Sequence, residues 1–335
     1  MNRPADHPPV APPKVGVLLI NLGTPNSPEP GSVRLYLKEF LSDPRVVEIP
    51  QLVWQPILRG IILRTRPKKS AHAYKQVWTG EGSPLAAITA RQARALAGAF
   101  GKGVIVDHAM RYGQPAIRER IHALKEQGCD RILLAPLYPQ YCGATTATAN
   151  DEAFLQLRRT RWQPAVRTLP PYYDDPAYIA ALKARLEEGL ASLDFAPEAV
   201  LASFHGMPVR TLELGDPYYC HCHKTARLLA EAAGRELVLT FQSRFGRAKW
   251  LEPATDRTLA ALPGRGVTSV AIFAPGFSAD CLETLEELAI RGRATFLAAG
   301  GTHFAYLPCL NDSPAGIEML RSIVGRELEG WTGGN

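Results

Sequence analysis

Three short motifs occur twice in this chain, in the same order. Gly-x-Pro stands at Gly23-Thr24-Pro25 and again at Gly206-Met207-Pro208. Arg-aromatic-Gly stands at Arg111-Tyr112-Gly113 and at Arg244-Phe245-Gly246. Ala-Pro-x-aromatic stands at Ala135-Pro136-Leu137-Tyr138 and at Ala274-Pro275-Gly276-Phe277. Beyond the third motif the two halves stay in step, Cys142 with Cys281 and Thr145 with Thr284. Each motif closes an apolar run read as a strand: 14–23, 104–113, 131–138, 199–206, 236–246 and 269–277. Helical stretches lie between them, at 84–99, 115–127, 176–192, 217–233 and 281–292. Continuous apolar strands alternating with helices predict an α/β fold with parallel sheets buried on both faces. The ordered recurrence predicts two Rossmann-like, doubly wound halves, 14–172 and 173–325. Their motifs fall at strand carboxyl ends, where open α/β sheets bind ligands, so a cleft is expected between them.

Composition narrows the partners. At 335 residues, 46% hydrophobic and 21% charged, the chain can bury a large core. A net charge of +6 favours an anionic partner. No zinc-finger spacing, RNP motif or basic repeat points to nucleic acid. The first thirteen residues are proline-rich with no apolar run, so 1–13 is expected as a disordered tail without a secretory signal. Without export, the six cysteines are expected as reduced thiols or metal ligands in the cytoplasm.

The two halves differ where chemistry would sit. Leu22 occupies the position of His205, and Ala144 that of Glu283. An imidazole at a strand end can take or give a proton near neutral pH, although a turn histidine bonded to a carbonyl has the same sequence. Asp280 and Glu283 are spaced as a capping box, which gives Glu283 a structural reading as well. Glu283 and Glu287 share a helical face with Glu286 adjacent. Such a row is a path for protons or a hard cation, and mutual repulsion would raise some of its pKa values.

"VGVLLINLGTP", "LYPQY", "SFHGMP", "GDPYY", "FQSRFGRAKWLEPATD" and "PGFSADCLETLEEL", in this order over residues 14 to about 325, resemble the ferrochelatase family. The resemblance implies a lyase of haem biosynthesis. It would insert Fe2+ into protoporphyrin IX, held in a cleft between two Rossmann-like, chelatase-like domains, and release two protons. It implies His205 and Glu283 as catalytic residues, and His205, Glu283 and Glu287 as the path of the iron. It implies Leu22, Tyr112, Tyr218, Trp250, Phe277 and Asp280 as substrate-side residues, Tyr218 and Asp280 by supporting the histidine. Cys281 stands where many eukaryotic members have a second histidine.

No cofactor is required beyond the iron substrate. Many members carry a [2Fe-2S] cluster, often on a carboxyl-terminal extension, and no such extension is expected here. Cys220, Cys222 and Cys142 are therefore the candidate cluster ligands. Against them, Asp216-Pro217 reads as the start of a helix carrying Cys220-His221-Cys222-His223, and residues two apart on a helix do not share a face. The basic amphipathic stretch 51–69 is expected to touch a membrane peripherally, as a lip over the pocket. Its alternative is a core-packing helix with a solvated basic end. The chain is expected as a monomer or homodimer. Two other functions fit less of the pattern: a chelatase for another tetrapyrrole such as coproporphyrin III, and a porphyrin or haem carrier without turnover. A carrier needs no proton path.

Overall fold

A computed structural model of the chain describes residues 13–246 and 248–332. The tail expected over 1–13 lies outside the described residues except for Pro13. Strands β1 (Lys14–Thr24), β2 (Val104–Gly113), β3 (Cys129–Pro136) and β4 (Ala165–Thr168) form one parallel sheet, ordered β2-β1-β3-β4. Strands β5 (Ala199–His205), β6 (Val238–Gln242), β7 (Ser269–Phe273) and β8 (His303–Leu307) form a second, ordered β6-β5-β7-β8. The two orders are the same order, as expected of a duplicated scaffold. β4 and β8 were not anticipated. They are half-buried edge strands of four and five residues: β4 (AVRT) lacks the apolar run of the inner strands, and β8 (HFAYL) is apolar but short and begins on an exposed histidine.

In the first half the helices are α1 (Pro30–Ser42), α2 (Gln51–Ile57), α3 (Leu63–Val77), α4 (Pro84–Leu96), α5 (Ile117–Glu126) and α6 (Thr148–Arg158). In the second they are α7 (Pro176–Ala191), α8 (Val209–Glu213), α9 (Tyr218–Ala233), α10 (Thr255–Ala261), α11 (Arg293–Ala298) and α12 (Pro314–Leu328). Wider π-helical turns join α2 to α3 (Leu58–Ile62), precede α6 (Gly143–Ala147) and precede α11 (Glu283–Gly292). The last two begin after Cys142 and Cys281, so the local geometry repeats with the sequence.

The Gly-x-Pro repeat has a steric cause. A Cβ on Gly23, at φ 110°, would lie 1.8 Å from the Tyr112 carbonyl oxygen, and one on Gly206 would lie 2.5 Å from that of Gln242. In both halves the first strand ends so close to the second that no side chain fits. The Arg-aromatic-Gly repeat does not survive as an alignment. Met110 N–H donates to Pro115 O (2.7 Å) as Phe241 N–H does to Pro253 O (2.8 Å), so Met110 matches Phe241 and Arg111 matches Gln242. The connection in the second half, 241 to 253 against 110 to 115, is seven residues longer. Arg244 lies in that longer connection and pairs with Asp256 (2.8 Å).

One apolar cluster runs through both sheets. It joins Val15, Val17 and Leu19 of β1 to Val200, Ala202 and Phe204 of β5, with Leu320, Ile323 and Val324 of α12. α12 crosses back onto the first half, where Arg131 donates to Trp331 O (2.8 Å) and Arg167 to Glu329 O (2.9 Å). The loops after β3 and β7 meet directly, the Ser278 hydroxyl donating to the Leu137 carbonyl.

The first half also buries a charge pair. Asp43 Oδ2 accepts from Arg111 (2.6 Å), Tyr112 Oη (2.8 Å) and Thr148. Burial raises the Asp43 pKa, but its hydrogen bonds and Arg111 outweigh this and lower it overall. A carboxyl with a lowered folded pKa adds stability above its unfolded pKa, about 3.9. That stability is lost as pH falls through the lower folded value. Asp43→Ala is expected to cost about 3–5 kcal/mol by stranding Arg111, read as a lower urea midpoint at pH 7. The deficit should shrink as both proteins are taken below pH ~3.9.

Candidate active site

His205 ends β5. Its Nδ1 lies 2.7 Å from the carbonyl of Gly206, so the Nδ1–H tautomer donates there and Nε2 keeps its lone pair. The bland reading of a carbonyl-bonded turn histidine is therefore correct for one nitrogen and leaves the other as a base. Tyr218, 8% exposed on α9, has a phenol pKa pushed well above its ordinary range, by burial first and then by Cys222 and Cys142, with the His205 backbone lowering it slightly. Trp250 packs on the same turn: its Cε3 would touch a Cβ at 206, and its indole N–H donates to Phe245 O (3.0 Å).

Glu283 is brought to the histidine by one side chain. Gln242 is the register partner of His205 across β5 and β6, about one strand spacing (~4.8 Å) away. Its Nε2 donates to the Glu283 carbonyl (2.9 Å). The capping-box reading of Glu283 fails, because Thr284 occupies that role. Cys281 N–H donates to Thr284 Oγ1 (2.9 Å), which donates to Asp280 Oδ1 (2.9 Å). The Glu283 carboxylate is instead turned toward Cys281 and, across the gap between the halves, Tyr36 and Tyr74. Burial first, then neighbouring groups including Glu283, push those three pKa values well above their ordinary range. Cys281 is thus a buried neutral thiol, poorly suited to ligate metal as thiolate.

Leu22 and Leu282 pack, half-buried, on the cluster that holds Tyr36 and Tyr74, so the first-half wall and the start of the Glu283 turn meet there. Phe277 packs half-buried against Leu85, Ile88 and Cys281 at the seam between the halves.

Four expectations need correction. Tyr112 is 0% exposed and committed to Asp43, with the Arg111 guanidinium 4.3 Å from its ring centroid, so it supports the wall and cannot touch a ligand. Asp280 is spent on Thr284, Tyr306 and Asn311, so it anchors the π-helical turn and has no hydrogen bond to the histidine. Glu287 is not a free carboxylate. It accepts from Ser243 N–H (2.8 Å) and the Ser243 hydroxyl, with Arg291 3.7 Å away. Arg291 also pairs with Glu286 at 2.9 Å, so the acidic row is partly neutralised.

Of the expected cluster ligands Cys220, Cys222 and Cys142, the last two are buried neighbours in one apolar cluster, but Cys220 stands apart and no further ligand joins them among the described residues. Cys220 is exposed, whereas Cys222 and Cys142 are buried neutral thiols whose pKa values desolvation raises. Asp216, whose Oδ1 accepts from Tyr218 N–H (3.0 Å) as the helix start requires, also bonds Gly143 N–H (2.7 Å). Among the described residues, no three His, Cys, Asp or Glu are gathered to hold a metal ion. These residues do not fit a [2Fe-2S] group.

Sequence reasoning missed Tyr36, Tyr74, Gln242, Ser203 and Ser243. The tyrosines sit on apolar helix faces and look like core. Gln242 ends β6 and Ser243 follows it within a quoted motif, and only the register of β5 against β6 exposes their role.

Comparison with known proteins bears on the family and the fold. A sequence model of the ferrochelatase family matches residues 14–328. The ferrochelatase of Agrobacterium fabrum is 54% identical over 335 residues, covering 98% of this chain and 97% of the relative. That of Rhizobium meliloti is 54% identical over 338 residues, covering 99% and 100%. Among solved structures, SirB from Bacillus subtilis with Fe3+ superposes with a TM-score of 0.57 at 14% identity, covering 95% of this chain and 96% of that one. CbiX, the terminal enzyme for biosynthesis of sirohaem in denitrifying bacteria, gives 0.52 at 16%, covering 94% and 100%. These two share the two-domain chelatase fold. With its duplicated sheets, its strand-end histidine and a family match over nearly its whole length, the chain belongs to the ferrochelatase family.

Proposed function

We propose that this protein is a protoporphyrin ferrochelatase, inserting Fe2+ into protoporphyrin IX to give protohaem and two protons. The observation that carries the reading is the pairing of a free His205 Nε2 with the Glu283 turn through Gln242, at a seam lined by both halves. A free-base porphyrin carries two N–H protons in a flat ring that shields its lone pairs. Insertion requires the ring to bend, those protons to leave and the iron to shed water. Apolar side chains such as Leu22, Trp250 and Phe277 can hold a bent macrocycle, using binding energy from its periphery. His205 Nε2 accepts a pyrrole proton, and Glu283 relays protons outward or guides the cation. The net positive charge suits a ligand with two propionates.

Purified protein mixed anaerobically with ferrous iron and protoporphyrin should convert the free-base spectrum to that of haem. Glu283→Gln and His205→Ala should each retain porphyrin binding, measured by fluorescence quenching. Each should lose iron insertion by about 10²–10⁴-fold, the usual worth of general acid–base groups. Full insertion by either variant defeats the proposed role. Porphyrin binding without turnover by the unaltered protein favours the carrier, and faster turnover of coproporphyrin III favours that substrate.

The second part of the proposal concerns delivery. Leu58 and Leu63 bury one face of the α2–α3 segment, and Trp54 ties it to Leu41 O (2.6 Å). Leu52, Val53, Ile57 and Ile61 remain 93%, 57%, 37% and 58% exposed beside Arg59 and Arg64, a combination that suits an anionic bilayer surface. No helix among the described residues is long and apolar enough to cross a membrane, so such contact would be peripheral. Leu52→Glu with Ile61→Glu should abolish co-sedimentation with phosphatidylglycerol vesicles. Unchanged co-sedimentation removes this contact from the proposal.

A further inference from the structure

Beneath His205 a chain of buried polar side chains leads to the Glu283 turn. Thr240 (β6), Thr255 (α10), Ser203 (β5) and Gln242 (β6) are each 3% exposed or less. Thr240 and Thr255 hydroxyls lie 2.9 Å apart, Thr255 and Ser203 hydroxyls 2.9 Å, and Ser203 Oγ donates to Gln242 Oε1 at 2.7 Å. Gln242 Oε1 can only accept, so Ser203 gives it its one proton, and Thr255 donates to Thr240. With Oε1 held by Ser203, the Gln242 NH2 faces the Glu283 carbonyl at 2.9 Å.

The first half shows what the position does without chemistry. Arg111, the structural match of Gln242, also donates to a main-chain carbonyl of the helix that follows the third strand of its half, that of Thr148 (3.0 Å). Both copies use this strand-end side chain as a strut. In the second copy the strut ends on the residue that carries the carboxylate, one strand away from the histidine.

We infer that Gln242 is a positioning residue, holding the Glu283 carboxylate at the distance from His205 Nε2 that proton exchange requires. The inference rests on the ferrochelatase reading of the same site and extends it to a residue that touches neither porphyrin nor iron. A misplacement of about 1 Å can cost about 10²-fold in rate without affecting binding.

The test uses the full chain and compares Gln242→Leu, Gln242→Glu, and Thr225→Val as a fold control. Thr225 is a fully buried α9 hydroxyl that accepts from Gln140 (3.0 Å) and donates to Tyr173 O (2.7 Å), outside this network. In Gln242→Leu, kcat for iron insertion should fall at least 10-fold while KM and Kd for protoporphyrin stay within 2-fold. Gln242→Glu should recover activity as pH falls, because only the protonated carboxyl can donate to the Glu283 carbonyl. Thr225→Val should lower the thermal midpoint comparably and keep kcat within 2-fold. Wild-type kcat in Gln242→Leu overturns the inference, as does an equal kcat loss in Thr225→Val, which would trace the effect to general loosening. Failure of the unaltered protein to insert iron would instead overturn the ferrochelatase reading itself.

Discussion

The site depends on how closely the first two strands of each half can run at their carboxyl ends. Gly23 and Gly206 let β1 and β5 lie against the neighbouring strand's carbonyl, where any Cβ would collide. That proximity sets the register that puts His205 beside Gln242. Between the halves, the loops after β3 and β7 meet, the Ser278 hydroxyl donating to the Leu137 carbonyl. The largest apolar cluster spans both sheets, so the two strand-end faces are held as one body.

On this common frame the halves have diverged in what their polar groups do. In the first, Arg111, Tyr112, Thr148 and Asp43 satisfy one another in a closed, buried knot. Such a network rigidifies a wall but offers nothing to a ligand. In the second, the corresponding strand end carries an uncharged amide, and the polar chain runs on to a helix turn whose carboxylate is left free of capping. Charge is absorbed in one copy and presented in the other.

The duplicated α/β architecture was legible because inner strands of parallel sheets are apolar throughout and end in glycine or proline. The edge strands β4 and β8 were not, because β4 is four residues with only two apolar and β8, though apolar, is a short half-buried run that begins on an exposed histidine. His205 and Glu283 were legible as departures from the repeat. Tyr112 and Asp280 were placed in the site by resemblance, but their hydrogen bonds go to Asp43 and to Asn311 with Tyr306, partners far along the chain that no local spacing reveals. The Arg-aromatic-Gly repeat misled because a chance match inside the longer second-half connection outweighed the true partner, Gln242. Cys220 and Cys222 looked like a ligand pair, but a helix turns successive alternate residues to different sides, and here one faces solvent and the other the core.

The return of α12 to the first half ties the two sheets to one element. α12 packs on α4 and β3, and the carbonyls near residues 329–331 receive Arg131 and Arg167. Leu320, Ile323 and Val324 belong to the same apolar cluster as Val15, Val17 and Leu19 of β1. Damage to that one helix would therefore be felt as lost packing in the sheet of the other half as well as in its own.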